Sequence, residues 1–339
     1  MSELAISAVQ RVDFETFVRK AFLGEKVEGL DDAVTSLRSL LSNVDEEGRV
    51  SITEADLVVF ASLAALISDG FDLADDRTRS LQYLNDLRMR SAVFIDEVQD
   101  FTEMQVFLMG MTVSHEYNQI TLSGDMCQKL HKNGLSDYSR ALPLVPRRRR
   151  NSSVFLDINF RQRDCLARLS AGFRTFLQKD TRIRDEYSDP LMPARVHVFE
   201  NPDEISETIV LRIRKLPLHA TTAVILPTLD EANKWYDLLG EELAEYGRKA
   251  RLSERDDLNR RYDVHFTSSL ETKGLEFDAV VVPNIGSFAI DTEIGRNQMY
   301  VAISRAKHAL FVGCAASESK NPAIKFLAAS GLIRCIAVK

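Results

Sequence analysis

From residue 91 onward, short apolar runs each end in a polar cluster, and this pattern leaves few folds open. Ala92-Val-Phe-Ile95 runs into Asp96-Glu97, and residues 120–123 run into Gly124-Asp125. Further runs follow at 154–158, 196–199, 223–226, 264–267, 279–282 and 309–312. Between many of them stand helical patterns, among them 230–246 and 297–306. Buried strands alternating with helices predict an α/β fold with a parallel sheet, where ligands bind at the carboxyl ends of strands.

The first ninety residues read differently, as helical and acidic. Ser51-Ile-Thr-Glu54 has capping-box spacing and precedes a nearly apolar run at 57–67. That run is shorter than the roughly 20 residues of a membrane-spanning helix, so no membrane span is expected. A polar stretch at 69–76 separates it from a second predicted helix at about 77–89. The stretch 143–153, with two prolines and four arginines, is the expected boundary between two domains, 1–150 and 151–339. No secretory signal opens the chain, and its four cysteines are far apart with no CxxC pair, which predicts reduced thiols and a cytoplasmic protein.

The net charge of −7 argues against a chain held to nucleic acid by bulk charge. The charge is uneven, however. Residues 140–182 carry eleven lysines and arginines against three acids, so a basic surface stands on an acidic body. Within it, Arg147, Arg148, Arg149 and Arg150 form a run that suits a clamp on the phosphates of single-stranded DNA, or a solvated loop.

The chemistry-bearing residues follow the strands. An apolar strand ending in Asp96-Glu97 places one carboxylate where it can hold Mg²⁺ and another where it can polarise a water for attack on a γ-phosphate. Taken alone, the pair is equally the make-up of a solvated acidic loop. Its company narrows the reading: Gly124-Asp125-Met-Cys-Gln128 after the next run, then Asn159-Phe160-Arg161, then Ser268-Ser-Leu-Glu-Thr-Lys273-Gly274-Leu275-Glu276-Phe277-Asp278, then Tyr300-Val-Ala-Ile-Ser-Arg305-Ala-Lys307.

In these five motifs and their order, over about residues 91 to 313, the chain resembles the UvrD/Rep-type superfamily 1 helicases. The resemblance implies two RecA-like P-loop-NTPase-type lobes, the first truncated at its N-terminus, with ATP in the cleft between them. It also implies roles: Asp96 as Mg²⁺ carboxylate, Glu97 as catalytic base, Gln128 as γ-phosphate sensor, and Arg161 and Arg305 as arginine fingers. Gly274 and Glu276 would bind nucleotide, and the Lys273 turn would track DNA. Two guanidiniums from a mobile lobe couple hydrolysis to closure, because they meet the phosphate only when the lobes come together.

Three departures bear on function. The aromatic that follows GDxxQ in the family and stacks on a base is absent, since Gln128 is followed by Lys-Leu-His-Lys. The fifth-motif Thr and His are replaced by Ser268 and Leu270. Above all, there is no GxxxxGK[ST], and none of the fifteen glycines is followed by lysine. The resemblance therefore leaves two main expectations. One is an ATP-driven DNA motor whose P-loop comes from a missing segment or a partner chain. The other is a non-hydrolysing helicase-like module that binds DNA or protein. A metal-dependent nuclease, with no Asp/Glu-x-Lys core beside the motifs, ranks third.

Overall fold

A computed structural model describes residues 90–113, 119–132, 134–135, 137–138, 154, 156, 162, 164–178, 193–260 and 262–338. The helices expected before residue 90, the arginine run 147–150 and Arg161 lie outside these residues. The chain divides into two compact units, Met1–Ser152 and Ser153–Lys339.

In the first unit, β1 (Ala92–Ile95) pairs in parallel with β2 (Gln119–Leu122), Ile95 opposite Leu122. Between them runs α1 (Glu103–Met111), started by a capping box in which Thr102 Oγ1 accepts from Gln105 N and Gln105 Oε1 accepts from Thr102 N. Ile95, Val98, Val106 and Leu135 form the buried centre.

The second unit is a doubly wound sheet. Among the described residues it has seven strands in the order β5-β6-β4-β7-β8-β3-β9, every pair parallel. In chain order these are α2 (Asp164–Gln178), β3 (Ala194–Phe199), α3 (Pro202–Arg214), β4 (Thr222–Leu226), α4 (Leu229–Glu245), β5 (Ala250–Leu252), β6 (Val264–Ser268), β7 (Phe277–Val282), α5 (Glu293–Ser304), β8 (Ala306–Ala315), α6 (Pro322–Ala329) and β9 (Ile333–Ala337). From β3 the chain crosses to β4 and then β5 through α3 and α4, and it returns to β8 and β9 through α5 and α6. Right-handed crossovers place helices of opposite travel on opposite faces of a sheet. Accordingly Ile205, Ile209 and Ile213 of α3 and Leu239 and Leu243 of α4 share one core with Phe199, Val224 and Phe266. The helices α2, α5 and α6 form the other layer, α2 packing on α5, α6 and β8. Each fully buried Leu or Ile contributes roughly 2 kcal/mol.

Local chemistry sets the helix ends. Asn201 Oδ1 accepts from Asp203 N and Glu204 N ahead of α3, Pro202 takes the first turn, and Arg212 and Arg214 close the last. Thr228 and Thr292 cap α4 and α5 in the same way.

The strands expected from the sequence at 92–95, 120–123, 196–199, 223–226, 264–267, 279–282 and 309–312 are all present, several of them longer. Of the run expected at 154–158, only Val154 and Leu156 are among the described residues; they belong to no strand and are 83% and 81% exposed, and the rest of that run lies outside the described residues. Among the described residues, no helix is long and apolar enough to cross a membrane.

Candidate functional site

Two clusters hold the motif residues, one in each unit. In the first, β1 and β2 end side by side, and backbone bonds from Ser123 N to Ile95 O (2.8 Å) and from Val98 N to Ser123 O (2.9 Å) continue the ladder past their ends. This alignment brings Asp96 to Ser123. The Asp96 carboxylate is exposed and accepts from Glu97 N at 3.0 Å and from the Ser123 hydroxyl. Glu97 itself has φ 52° and ψ 43°, a left-handed conformation that costs a non-glycine residue about 1 kcal/mol. The turn swings the Glu97 carboxylate back over the strand end, where the Gln99 amide donates to it.

Gln99 is fully buried, and its Oε1 accepts from Asp125 N at 3.1 Å, so one amide joins the two acidic motifs. A Cβ on Gly124 would come within 2.2 Å of that Oε1, which explains the glycine ahead of Asp125. Asp125 in turn accepts from Cys127 N and from Gln128 Nε2, both at 3.1 Å, and so orients Gln128. Tyr138, ten residues beyond Gln128, donates to Gly124 O at 2.6 Å and packs on the buried centre. Asp96, Glu97 and Gln128 are therefore brought into one hydrogen-bonded cluster.

The second cluster lies at the amino ends of β7 and β8, not at strand carboxyl ends. The segment after β6 crosses back to the start of β7, and Phe277 N donates to Arg305 O at 3.0 Å. Arg305 caps α5 directly ahead of β8 and is 5% exposed. Its guanidinium is held internally, Nε to Val301 O (3.3 Å), Nη1 to Leu275 O (3.2 Å) and Nη2 to Ser304 Oγ (3.1 Å). Gln162, the neighbour of Arg161, reaches the same place: its amide donates to Ala306 O at 2.8 Å and Ser304 O at 3.4 Å and accepts from Ser170 Oγ at 2.8 Å.

Gly274 takes φ +77°, the left-handed region in which glycine carries no Cβ penalty. Gly274 and Glu276 are exposed, while Lys273 is only 5% exposed. Asp278 ties the amino ends of three strands together. It accepts from Thr221 N (2.9 Å) and Thr221 Oγ1 (3.0 Å), with Lys307 at 4.0 Å and His308 at 3.8 Å. Burial pushes its carboxyl up, but the two Thr221 bonds and the neighbouring cations outweigh burial and hold it below the ordinary aspartate range.

Reasoning from the sequence singled out neither Gln99, Gln162 nor Ser123. Gln99 stands two residues after Glu97 and Gln162 directly after Arg161, so adjacency to a motif was the available signal. The described residues hold no group of three or more His, Cys, Asp or Glu able to cage a metal. An Asp carboxylate beside a Ser hydroxyl does fit Mg²⁺, which is commonly held by one or two carboxylates, substrate phosphates and water.

No curated protein matches the chain. Among solved structures it is similar to the C-terminal domain of a possible DNA helicase from Lactobacillus plantarum WCFS1, at 22% identity and a TM-score of 0.37, over 52% of this chain and 99% of that one. Residues 263–312, which run from β6 through the Gly274 turn and Arg305 into β8, match the family of UvrD-like helicase C-terminal domains. The family match thus spans the second cluster and leaves the first outside it.

Proposed function

We propose that the chain is the motor portion of a UvrD-like superfamily 1 DNA helicase, two RecA-like lobes that couple ATP hydrolysis to translocation on, or unwinding to, single-stranded DNA. The observation that supports this reading most is the cluster at the ends of β1 and β2. There Gln99 holds Glu97 and Asp125 in one network, and Asp125 aims Gln128. In this reading Asp96 and Ser123 hold Mg²⁺, which when bound neutralises phosphate oxygens. Glu97 orients and deprotonates the attacking water, and Gln128 senses the γ-phosphate. Gly274 and Glu276 contact nucleotide, and Arg161 and Arg305 supply transition-state charge. Lys273 and Arg147 to Arg150 contact DNA phosphates. The phosphate-binding loop comes from another segment or a partner polypeptide, because the sequence contains no GxxxxGK[ST].

The test is reconstitution. The chain alone should show no DNA-stimulated ATP hydrolysis, and adding a separately expressed P-loop βαβ segment of a UvrD-like helicase should bring it about. Robust hydrolysis by the chain alone would overturn the need for a second segment.

Arg305 favours a second reading, a helicase-like module that binds DNA or protein without hydrolysis. Its guanidinium is already engaged by Leu275 O, Val301 O and Ser304 Oγ and must let go to act on a phosphate. Under this reading, binding of a labelled oligonucleotide proceeds without nucleotide, and no P-loop segment awakens hydrolysis.

A further inference from the structure

Within the second unit, away from Arg305 and the Gly274 turn, a groove of about 460 Å³ opens at the β9 edge of the sheet, lined by Arg195, His197, Thr208, Arg334, Ile336 and Val338. Arg195 and Arg334 are register partners on parallel strands, so their side chains rise from the same face roughly 5 Å apart at the backbone. Arg212 follows Thr208 by four residues on α3 and therefore shares its helix face. His197 forms the floor, stacked on Phe311 at 4.6 Å between ring centroids. Burial, with Arg212 and Arg195 close by, pushes its imidazole below the ordinary histidine range.

Two guanidiniums thus line one recess, and a third, Arg212, stands close enough to bear on the His197 ring at its floor, in a chain whose net charge is −7. Arg195, Arg212 and Arg334 make no ion pair with a carboxylate of the described residues. Cations gathered without counter-ions repel one another, and an anion that bridges them relieves the repulsion. A single carboxylate offers one charge and two oxygens. A phosphoryl group offers up to two charges and three oxygens, which suits guanidinium forks approaching from β3, β9 and α3. The volume also falls in the range of small-ligand sites.

We propose that this groove binds a phosphoryl group through Arg195, Arg334 and Arg212, as a second anion site separate from the helicase motifs. Val196 pairs with Val312, so the groove stands level with Phe311, six residues along β8 from Arg305. At the usual rise this is about 20 Å. The proposal does not depend on the motor reading. A phosphoryl group can arrive as a nucleic-acid backbone or as a free phosphorylated ligand, and competition separates the two.

The experiment titrates the full chain at low salt with inorganic pyrophosphate by calorimetry and with a fluorescein-labelled fifteen-residue oligo(dT) by anisotropy, each against the Arg195→Ala/Arg334→Ala double variant. Both arginines are exposed, so the fold is expected to persist, checked by far-UV circular dichroism. Pyrophosphate affinity should fall at least tenfold in the variant. If oligo(dT) displaces pyrophosphate, the groove holds nucleic-acid backbone; if it does not, the groove holds a free phosphoryl ligand. The proposal is overturned if the wild-type chain does not bind pyrophosphate, if the folded variant binds it unchanged, or if a hexaglutamate peptide binds the same arginines as tightly. The Arg195→Ala/Arg334→Ala variant should leave ATP turnover of the chain reconstituted with a P-loop segment unaltered, so failure of the motor reading and failure of this one are told apart.

Discussion

Each unit centres its motif residues on a buried glutamine, and the two amides do different work. Gln99 bridges side chain to backbone across two motifs, donating to the Glu97 carboxylate and accepting from Asp125 N. Gln162 grips backbone alone on its donor side, the carbonyls of Ser304 and Ala306 that flank Arg305. The acids of the first unit are therefore presented outward, with Asp96 exposed and Glu97 half-buried. The guanidinium of the second is folded inward. A carboxylate in water costs little to keep ready. A buried guanidinium must be satisfied by its own fold, and the three oxygens that satisfy it also restrain it.

The largest expected effect tests whether this contrast matters to catalysis. In the chain reconstituted with a P-loop segment, Glu97→Gln and Arg305→Ala should each lower DNA-stimulated ATP turnover by about 10³-fold or more. Turnover indifferent to both would make the two clusters structural remnants.

Next come the glutamines themselves. Gln99→Ala removes a fully buried amide and leaves Asp125 N unsatisfied, at a cost of roughly 2–3 kcal/mol. Faster hydrogen exchange at the Val98 and Ser123 amides reports it. Gln162→Ala should cost about 1–2 kcal/mol. The single tryptophan, Trp235 in α4, reads this out, because its fluorescence follows unfolding of the second unit. Its urea midpoint should drop for Gln162→Ala and stay put for Gln99→Ala. Equal shifts would show that the units unfold as one, and the comparison would fail.

The smallest effect is acid sensitivity. Asp278 is held below the ordinary aspartate range in the folded chain, so its contribution is complete above that range and is lost as pH falls through the folded pKa. With its side chain 31% exposed, the contribution is about 0.5 kcal/mol. Asp278→Asn should flatten the loss of stability below pH 4 followed at Trp235, and an unchanged acid limb would remove Asp278 from the account.

Strands and motif order were legible because both are local. Burial on two faces writes an apolar run, and a polar cluster writes its end, so β1, β4, β6 and β7 could be placed to within a residue or two. Which end of the sheet a motif occupies is set by crossovers. The segment from Ser268 to Phe277 passes from the end of β6 to the start of β7, and this carried the second cluster to the amino ends of the strands, against the expectation from strand-helix alternation. Burial of Lys273 and Arg305 was likewise hidden, since a charged residue in a motif reads as exposed; Arg305 is received by the carbonyls of Val301 and Leu275. The groove at Arg195 and Arg334 had no local signal at all, because it is made by register between strands far apart in the chain.

The junction at Arg305 has a mechanical consequence. Helix α5 ends at Ser304 and β8 begins at Ala306, leaving Arg305 as the whole linker between them. A loop would let the side chain swing while its neighbours stayed still. Here there is no slack: freeing the guanidinium from Leu275 O and Val301 O by a backbone shift must tilt α5 or pull on β8, whose pairing with β7 and β3 resists displacement. Gln162 fastens both sides of this joint from the start of α2. The side chain can therefore be withdrawn by rotamer change alone or else by moving a helix against the sheet, and in the second case the arginine acts as a lever whose stroke is read by the whole second unit.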